Sequence, residues 1–520
     1  MSLPISKNEF YCCLTITVLH AFFGLYTLYN VSNWYVYKSN RSSLELSPYN
    51  YWIGEWRYDV KDTEWAVTRY DIVPALKCYL IHTILWRIFH RLLNPTLGNN
   101  IYAPISAIII YIYLKNPFIY FLVIVLAVIT ISLSYLIRNE IIAWIICCAF
   151  LFDPKIQRYI NIFEQNYLYR QYNFYTYTLI KILNVSIYFS RNKDVKISVK
   201  LLLRIILYLF YLPYASILII LFDDFNYQLD NLEKDKQLEI TKINFKKIVF
   251  GGSRLVAWFV VNEIYLHLFT VNELQYMDFD LLKQYNTLVL FIIGIFSCGF
   301  FYLKYLFIFG FPSYFAKIDQ MMPPRKPVCV FTIARYGNIW RNFDRGLYQF
   351  MLRQIYIPFL QIEGRSLYLK YTFSLLMPFA FVLLWHGTSN KHLIWVSCSI
   401  IELAIEKIGY SFGKTQMWMN IKKYIGLGNA YRLKAAFCLL TVIPGLFGVI
   451  SFILPPQNGG YICYKILFDG IIGIISGEWM KNIASPGFCL LYLMLFCYFY
   501  SHSCLYFEEK ENVKRKKKIE

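Results

Sequence analysis

Charge is the scarcest commodity in this chain. Asp, Glu, Lys and Arg together make up 16% of its 520 residues, where a soluble domain carries about a quarter. With 58% hydrophobic and 19% aromatic residues, there is too little polar side chain to cover a set of water-soluble domains. Acids are rarer than bases, 32 against 52. The resulting charge of +20 sits in short segments between apolar runs, which excludes a nucleic-acid-binding reading and instead marks the cytoplasmic side of a membrane. No CxxC pair or Cys/His spacing suggests zinc. Most of the 13 cysteines, Cys12, Cys13, Cys147, Cys148, Cys298 and Cys438 among them, lie inside apolar runs as small hydrophobes. No HExxH helix or Walker-type phosphate loop is present. Histidine is limited to seven residues.

Present instead are apolar runs, one after another. Stretches centred on 9–31, 71–92, 117–137, 200–222, 249–271, 287–311, 366–385, 392–406, 435–454 and 486–504 each approach the roughly 20 residues that cross a bilayer. Pieces at 101–114, 140–152, 175–190 and 461–476 are short or broken by Gly and Asn and read as re-entrant or interfacial. The expectation is an all-α, polytopic membrane protein in one domain over 1–520, with about 10–12 transmembrane or re-entrant helices. The opening MSLPISKNEF lacks a basic leader and a cleavage site, so the first segment is expected to be retained.

The last helix runs into EEKENVKRKKKIE, a basic tail within 505–520 whose six Lys and Arg residues place the C-terminus in the cytosol. Lys517 and Lys518 stand fourth and third from the end, as in a dilysine retrieval signal for the endoplasmic reticulum; an ordinary basic stop reads the same way. Counting crossings back puts the segment Lys317 to Arg353, with five Arg and two Lys, in the cytosol and His386 toward the lumen.

Two stretches combine ionisable groups with this apolar setting. In GNIWRNFDRGLYQFMLRQIYIP, 337–358, helical spacing puts Trp340, Asp344, Tyr348 and Met351 on one face and Arg341 within pairing distance of Asp344. Ahead of it the prolines of MMPPRKPVCVF impose an extended lead-in, followed by Cys329 in a basic setting. In FAFVLLWHGTSN, His386 ends an apolar run of about one crossing. It either caps the helix before Gly387 or does chemistry, the default for an ionisable group inside a membrane. Asp344 is likewise either an ion-pair partner of Arg341 or Arg345 or a functional acid. Glu263 with His267 and Glu402 with Glu406, four apart, read as internal packing pairs.

The ordered strings FYLKYLFIFGFPSYFAKID, PPRKPVCVF, WRNFDRGLYQFMLRQIYIP and FAFVLLWHGT, with KDTEWAV, SRLVAWFVVNEIYLHLF and LFCYFYSH, resemble the membrane-bound O-acyltransferases, above all the hedgehog acyltransferase branch that acylates proteins. Asp at 344, where lipid-modifying relatives carry Asn, fits that branch. The resemblance implies transfer of palmitate from palmitoyl-CoA to the amino group of an N-terminal cysteine on a secreted hedgehog-type protein, in the endoplasmic reticulum membrane. By position it implies His386 as catalytic histidine, Asp344 as catalytic acid, Trp340 and Arg341 on the acyl-CoA-lining helix, and Cys329 as a haem-coordinating cysteine. Arg345, Tyr348 and Arg353 on the same segment join the acyl-CoA-binding set, the arginines as partners for phosphate. A desolvated imidazole stays neutral and can take a proton from the acceptor amine. FLQIEG after YIP, LPYASILII at 212–220 and TVIPGLFG at 441–448 depart from the family pattern and bear on acyl-chain and acceptor preference. The alternatives are the same reaction on a serine or a lipid hydroxyl, and a transporter or inactive homologue. Paired discontinuous helices, the mark of a transporter, are not evident.

Overall fold

The computed structural model describes residues 5–39, 45–46, 56–152, 168–234, 245–364 and 366–516. Apart from one two-residue antiparallel ladder, Glu45 opposite Tyr58 and Leu46 opposite Arg57, the described chain is helical. The helices that matter below are α1 (Lys7–Ser39), α2 (Thr63–Leu92), α3 (Pro95–Leu114), α4 (Pro117–Ile137), α5 (Leu168–Arg191), α6 (Val199–Phe210), α7 (Phe245–Leu268) and α8 (Thr287–Ile308). After them come α9 (Tyr336–Asn342), α10 (Arg345–Phe350), α11 (Leu367–His386), α12 (Asn390–Phe412), α13 (Gln416–Phe437), α14 (Leu439–Ile453), α15 (Pro456–Ile475) and α16 (Pro486–Lys516).

Their starts are written in the sequence. Asn94 and Asn116 accept from Leu97 and Ile119 N–H while Pro95 and Pro117 open α3 and α4, the pairing of a side-chain cap with a proline that needs no backbone donor. Ser366 and Thr415 cap α11 and α13 in the same way. Between the ends, nine helices among the described residues are long and apolar enough to cross a membrane. Their outward side chains are apolar too: Val125, Val128, Ile129 and Leu136 on α4 are all exposed, as expected of a surface whose solvent is lipid.

Three segments differ from the sequence reading. The short piece 101–114 belongs to the 20-residue α3, one of the nine, because its helix starts at the capped Pro95 rather than at the first run of hydrophobes. The run 200–222 is not one helix. It stops at Phe210, makes a single turn over Leu212–Tyr214 and continues non-helically to Leu221. Pro213 sits in that turn without a backbone donor, and Tyr211, Tyr214 and Leu221 are buried there. The piece 175–190 forms most of α5, whose apolar, Thr and Asn side chains are nearly all buried. It is therefore a core helix surrounded by protein, whose buried Lys181 is satisfied by Tyr208 O and Leu209 O.

Ion pairs collect one face of the molecule. Arg432 in α13 binds Glu9 in α1, Lys434 in α13 binds Glu509 in α16, and Arg335 just before α9 binds Glu508. The basic segment 407–434, the first turns of α1, the end of α16 and the approach to α9 thus share a side. Lys517 and Lys518 lie outside the described residues.

Candidate active site

The segment that leads into the site is extended, as its prolines require: residues 321–329 have no regular structure. Val328 N–H donates to Asn342 O at 3.2 Å and ties the lead-in to the end of α9. At Asp344 the helical path breaks. Its φ of −109° and ψ of 92° are extended, and its carboxylate accepts from Leu347 N–H at 2.9 Å, capping α10. A carboxylate that can bond the backbone three residues on competes with helix continuation. The single helical face expected for Trp340, Asp344, Tyr348 and Met351 is therefore split between α9, α10 and a π-helical turn over Met351–Tyr356, and among the described residues Asp344 forms no ion pair with Arg341. Such turns gather at functional sites. Gly346 presses against the non-helical strip after α6, where a Cβ would lie 2.5 Å from Ile219 O, so only glycine lets α10 approach that closely.

His386 is the last residue of α11. Gly387 follows with φ 105° and ψ 158°, a left-handed φ that favours glycine, and its N–H closes the helix on Leu383 O. Among the described residues neither ring nitrogen of His386 hydrogen-bonds within the protein, so the imidazole does not act as the helix cap. Instead it stands edge-on to Trp395 of α12 at 5.4 Å and to Phe452 of α14 at 5.3 Å between centroids. His392, held by Ser389 Oγ at 3.0 Å, lies 6.4 Å away.

These rings connect His386 to the α9–α10 segment by two routes. Trp340 stacks on Trp395 at 5.3 Å and meets Phe379 edge-on at 5.1 Å, so a single ring separates Trp340 from the histidine. On the other side Phe343, next to Asp344, stacks on Phe301 of α8, which meets Phe452 edge-on. Tyr177 of α5 contacts Trp385 at 5.5 Å and feels the charge of Asp344. Trp340, Trp395, Phe301, Phe343, Phe452 and Tyr177 all keep some accessible surface although helices surround them. These ring contacts join the exposed His386 to the segment that carries Asp344. Among the described residues the indole N–H of Trp340 is buried without a partner.

Asp344 keeps a partly accessible surface. Burial pushes its carboxyl up to about 6, against the pull of the Leu347 and Gly346 N–H groups. Beside these rings, with Tyr305 at 6.0 Å from Phe343, lies a charged cluster that the sequence reading gave no role. Lys304 of α8 is buried between Asp62 and Glu64, at 2.7 Å from each. Tyr305 donates to Glu64 at 2.9 Å, as does Tyr169. Its only trace in the sequence is KDTEWAV, whose Asp62 caps α2 and whose Glu64 lies in its first turn, with no hint of Lys304.

The cationic residues fall into two groups. Arg353 is held bidentately by Asp224 at 2.7 Å, with Asp223 at 3.8 Å. Arg341 is exposed, and Arg345 donates to its carbonyl at 3.2 Å while lying over the Tyr348 ring. Arg345, Gly346 and Gln349 line a cavity of about 260 Å³ with Asp224, Gln228 and Met322. Cys329 is an exposed thiol, and among the described residues no group of three His, Cys, Asp or Glu side chains is placed to hold a metal ion. An exposed thiol on an extended segment does not by itself make a haem site, and no step below involves one. The string GYSFG, 409–413, has the spelling of a nucleophile elbow. It ends α12 with no strand before it, so Ser411 lacks the strand-turn-helix context of an elbow.

Parts of the chain match known proteins. Protein-cysteine N-palmitoyltransferase Rasp of Drosophila melanogaster is 28% identical over 239 residues, 44% of this chain and 45% of its own length. Protein-cysteine N-palmitoyltransferase HHAT of Mus musculus is 33% identical over 157 residues, 30% of this chain and 31% of its own. Membrane-bound O-acyltransferase GUP1 of Saccharomyces cerevisiae is 24% identical over 250 residues, 46% and 40% of the two chains. The match thus spans less than half the length of each of these relatives. The profile of the membrane-bound O-acyltransferases fits residues 188–447, half of the sequence, from the end of α5 to α14 and with Asp344 and His386 inside it. With that match, and with the helical membrane architecture around it, the chain belongs to the membrane-bound O-acyltransferase family.

Proposed function

We propose that this protein is an acyltransferase of the endoplasmic reticulum membrane that moves palmitate from palmitoyl-CoA to the amino group of an N-terminal cysteine on a secreted, hedgehog-type protein. The observation that carries this reading is the set of aromatic contacts joining His386, whose ring nitrogens make no hydrogen bond among the described residues, to the segment that carries Asp344. Likeness to two protein-cysteine N-palmitoyltransferases supports the acceptor.

In this reading the amine nitrogen attacks the thioester carbonyl carbon. The C–N bond forms, the C–S bond breaks, and His386 takes the amine proton and hands it to the departing sulfur, leaving an amide and the CoA thiol. His386 would act as base and then as acid. Asp344, as an ionised carboxylate, favours the positive charge that develops on the attacking nitrogen. The ring-lined space excludes water from the thioester and accepts the start of the acyl chain. Trp340 Nε1, buried and unpartnered, is a donor available to the thioester oxygen. Arg341 and Arg345 are the cations offered to the CoA phosphates, with the cavity beside Arg345 as room for the nucleotide; Arg353 holds the acidic pair Asp223 and Asp224 and acts on the shape of that wall. Tyr348 supports Arg345 from beneath.

Purified protein given labelled palmitoyl-CoA and a short peptide beginning with Cys should form a hydroxylamine-resistant product, because an amide survives where a thioester does not. Acetylating the peptide amino group should abolish it. A second reading, transfer to a serine or a lipid hydroxyl, draws on the GUP1 likeness. Labelling of a blocked serine peptide or a lysophospholipid, with none of the cysteine peptide, would replace the first reading with this one.

A further inference from the structure

The helical hairpin formed by the end of α12 and the first half of α13 takes no part in the ring contacts around His386, and it shows large apolar side chains to its surroundings. Tyr424 is 92% exposed and Ile408 69% exposed, with Tyr410, Met417, Met419 and Leu427 also open. Exposed apolar groups clustered on a projecting element mark a contact surface. Its charge is of one sign. From Lys407 to Lys434 there are six Lys and Arg residues, and no Asp or Glu occurs between Glu406 and Asp469. Arg432 and Lys434 are neutralised by Glu9 and Glu509. Lys407, Lys414, Lys422 and Lys423 pair with no carboxylate among the described residues. Lys407 and Lys414 lie over the Tyr371 and Tyr410 rings, at 4.5 and 4.2 Å.

The backbone separates this element from the bundle. At Gly426, φ 79° and ψ 164° break α13. The second half, carrying Tyr431, is tied to α16 through His502 O, whereas residues 416–425 leave that direction. Lys407 lies over Tyr371, near the start of α11, one of the nine helices apolar enough to cross a membrane. The hairpin intermixes lysines, a tryptophan, tyrosines and methionines, the composition of an element that lies in the interface plane.

We propose that the hairpin 407–427 is a binding site for anionic phospholipid headgroups, seated on the leaflet at the face that carries Glu9 and Glu509. Its lysines meet the headgroup charge while Met417, Met419 and Tyr424 enter the acyl boundary. The full protein, reconstituted in nanodiscs of phosphatidylcholine alone or with one third phosphatidylserine, tests it by hydrogen exchange. Amides of 413–427 should exchange at least about tenfold more slowly in the anionic discs. Replacing Lys414, Lys422 and Lys423 with Gln should remove that difference, since three such charges are worth about a hundredfold in attraction to an anionic surface. Exchange in α16 should stay the same in all samples and report that the variant is folded. Equal exchange in the two discs would overturn the proposal. So would slowing in neutral discs on adding free CoA or inorganic phosphate to the same extent, which would assign the lysines to a soluble phosphate. Slowing that appears only in discs holding two copies would overturn it too, by assigning the face to a second copy of the chain.

Discussion

His386 and Asp344 treat the backbone in opposite ways. The histidine ring bonds nothing within the described protein, whereas the aspartate accepts from Leu347 N–H. Asn at 344 can make the same cap through its amide oxygen, so Asp344→Asn is expected to fold while losing the charge. Because burial holds the Asp344 carboxyl up to about 6, the anion appears only as the pH rises through that value. Acyl transfer by the native protein should climb over this range, and Asp344→Asn should be slower and lack that limb; an unchanged limb in the variant would assign it to another group. Both residues were legible in the sequence, through the motifs WRNFDRGL and WHG. The rings around them were not. Trp395, Phe452 and Phe301 come from α12, α14 and α8, and only tertiary packing brings them to His386. The Arg341 pairing failed for a local reason: a helix-capping aspartate stands outside the helix whose spacing would have presented it.

Among the elements, two junctions hold the segments of the candidate site together. Gly346 lets α10 lie on the backbone after α6, and Gly346→Ala puts a methyl 2.5 Å from Ile219 O, against main chain that cannot swing aside. This variant is expected to lose transfer activity and about 1–3 kcal/mol of stability, the range for forcing atoms into a packed site, as read by thermal unfolding in detergent. The second junction is Lys304, which joins α8 to the start of α2 and, through Glu64 and Tyr169, to α5. Lys304→Met leaves two half-buried carboxylates without their cation and should cost up to about 3 kcal/mol, the low end of the range for breaking a buried pair. Adding Asp62→Asn and Glu64→Gln should recover part of that; no recovery would mean that Lys304 acts by packing its stem alone. Most helices were readable as apolar runs between Asn-Pro or Ser caps. The break after Phe210 was not, because the strip 215–221 is as apolar as a helix and its conformation is settled by burial against its neighbours.

At the scale of the whole molecule, a membrane enzyme of the proposed kind has to stay where its acceptor is made and bring a cytosolic donor to a secreted amine. The basic tail serves the first need if Lys517 and Lys518, outside the described residues, act as a retrieval signal; changing both to Ser should move the protein toward the cell surface, seen by microscopy against a reticulum marker. In the proposed function the second need would be met between Asp344 and His386. The most direct measurement of that account is single-turnover transfer from labelled palmitoyl-CoA to a cysteine-first peptide by native protein and by His386→Ala, with palmitoyl-CoA binding measured on both. The account predicts that the variant binds palmitoyl-CoA as the native protein does and forms amide at least about 10²-fold more slowly, the usual worth of a general base. Amide formation at the native rate by His386→Ala would contradict it.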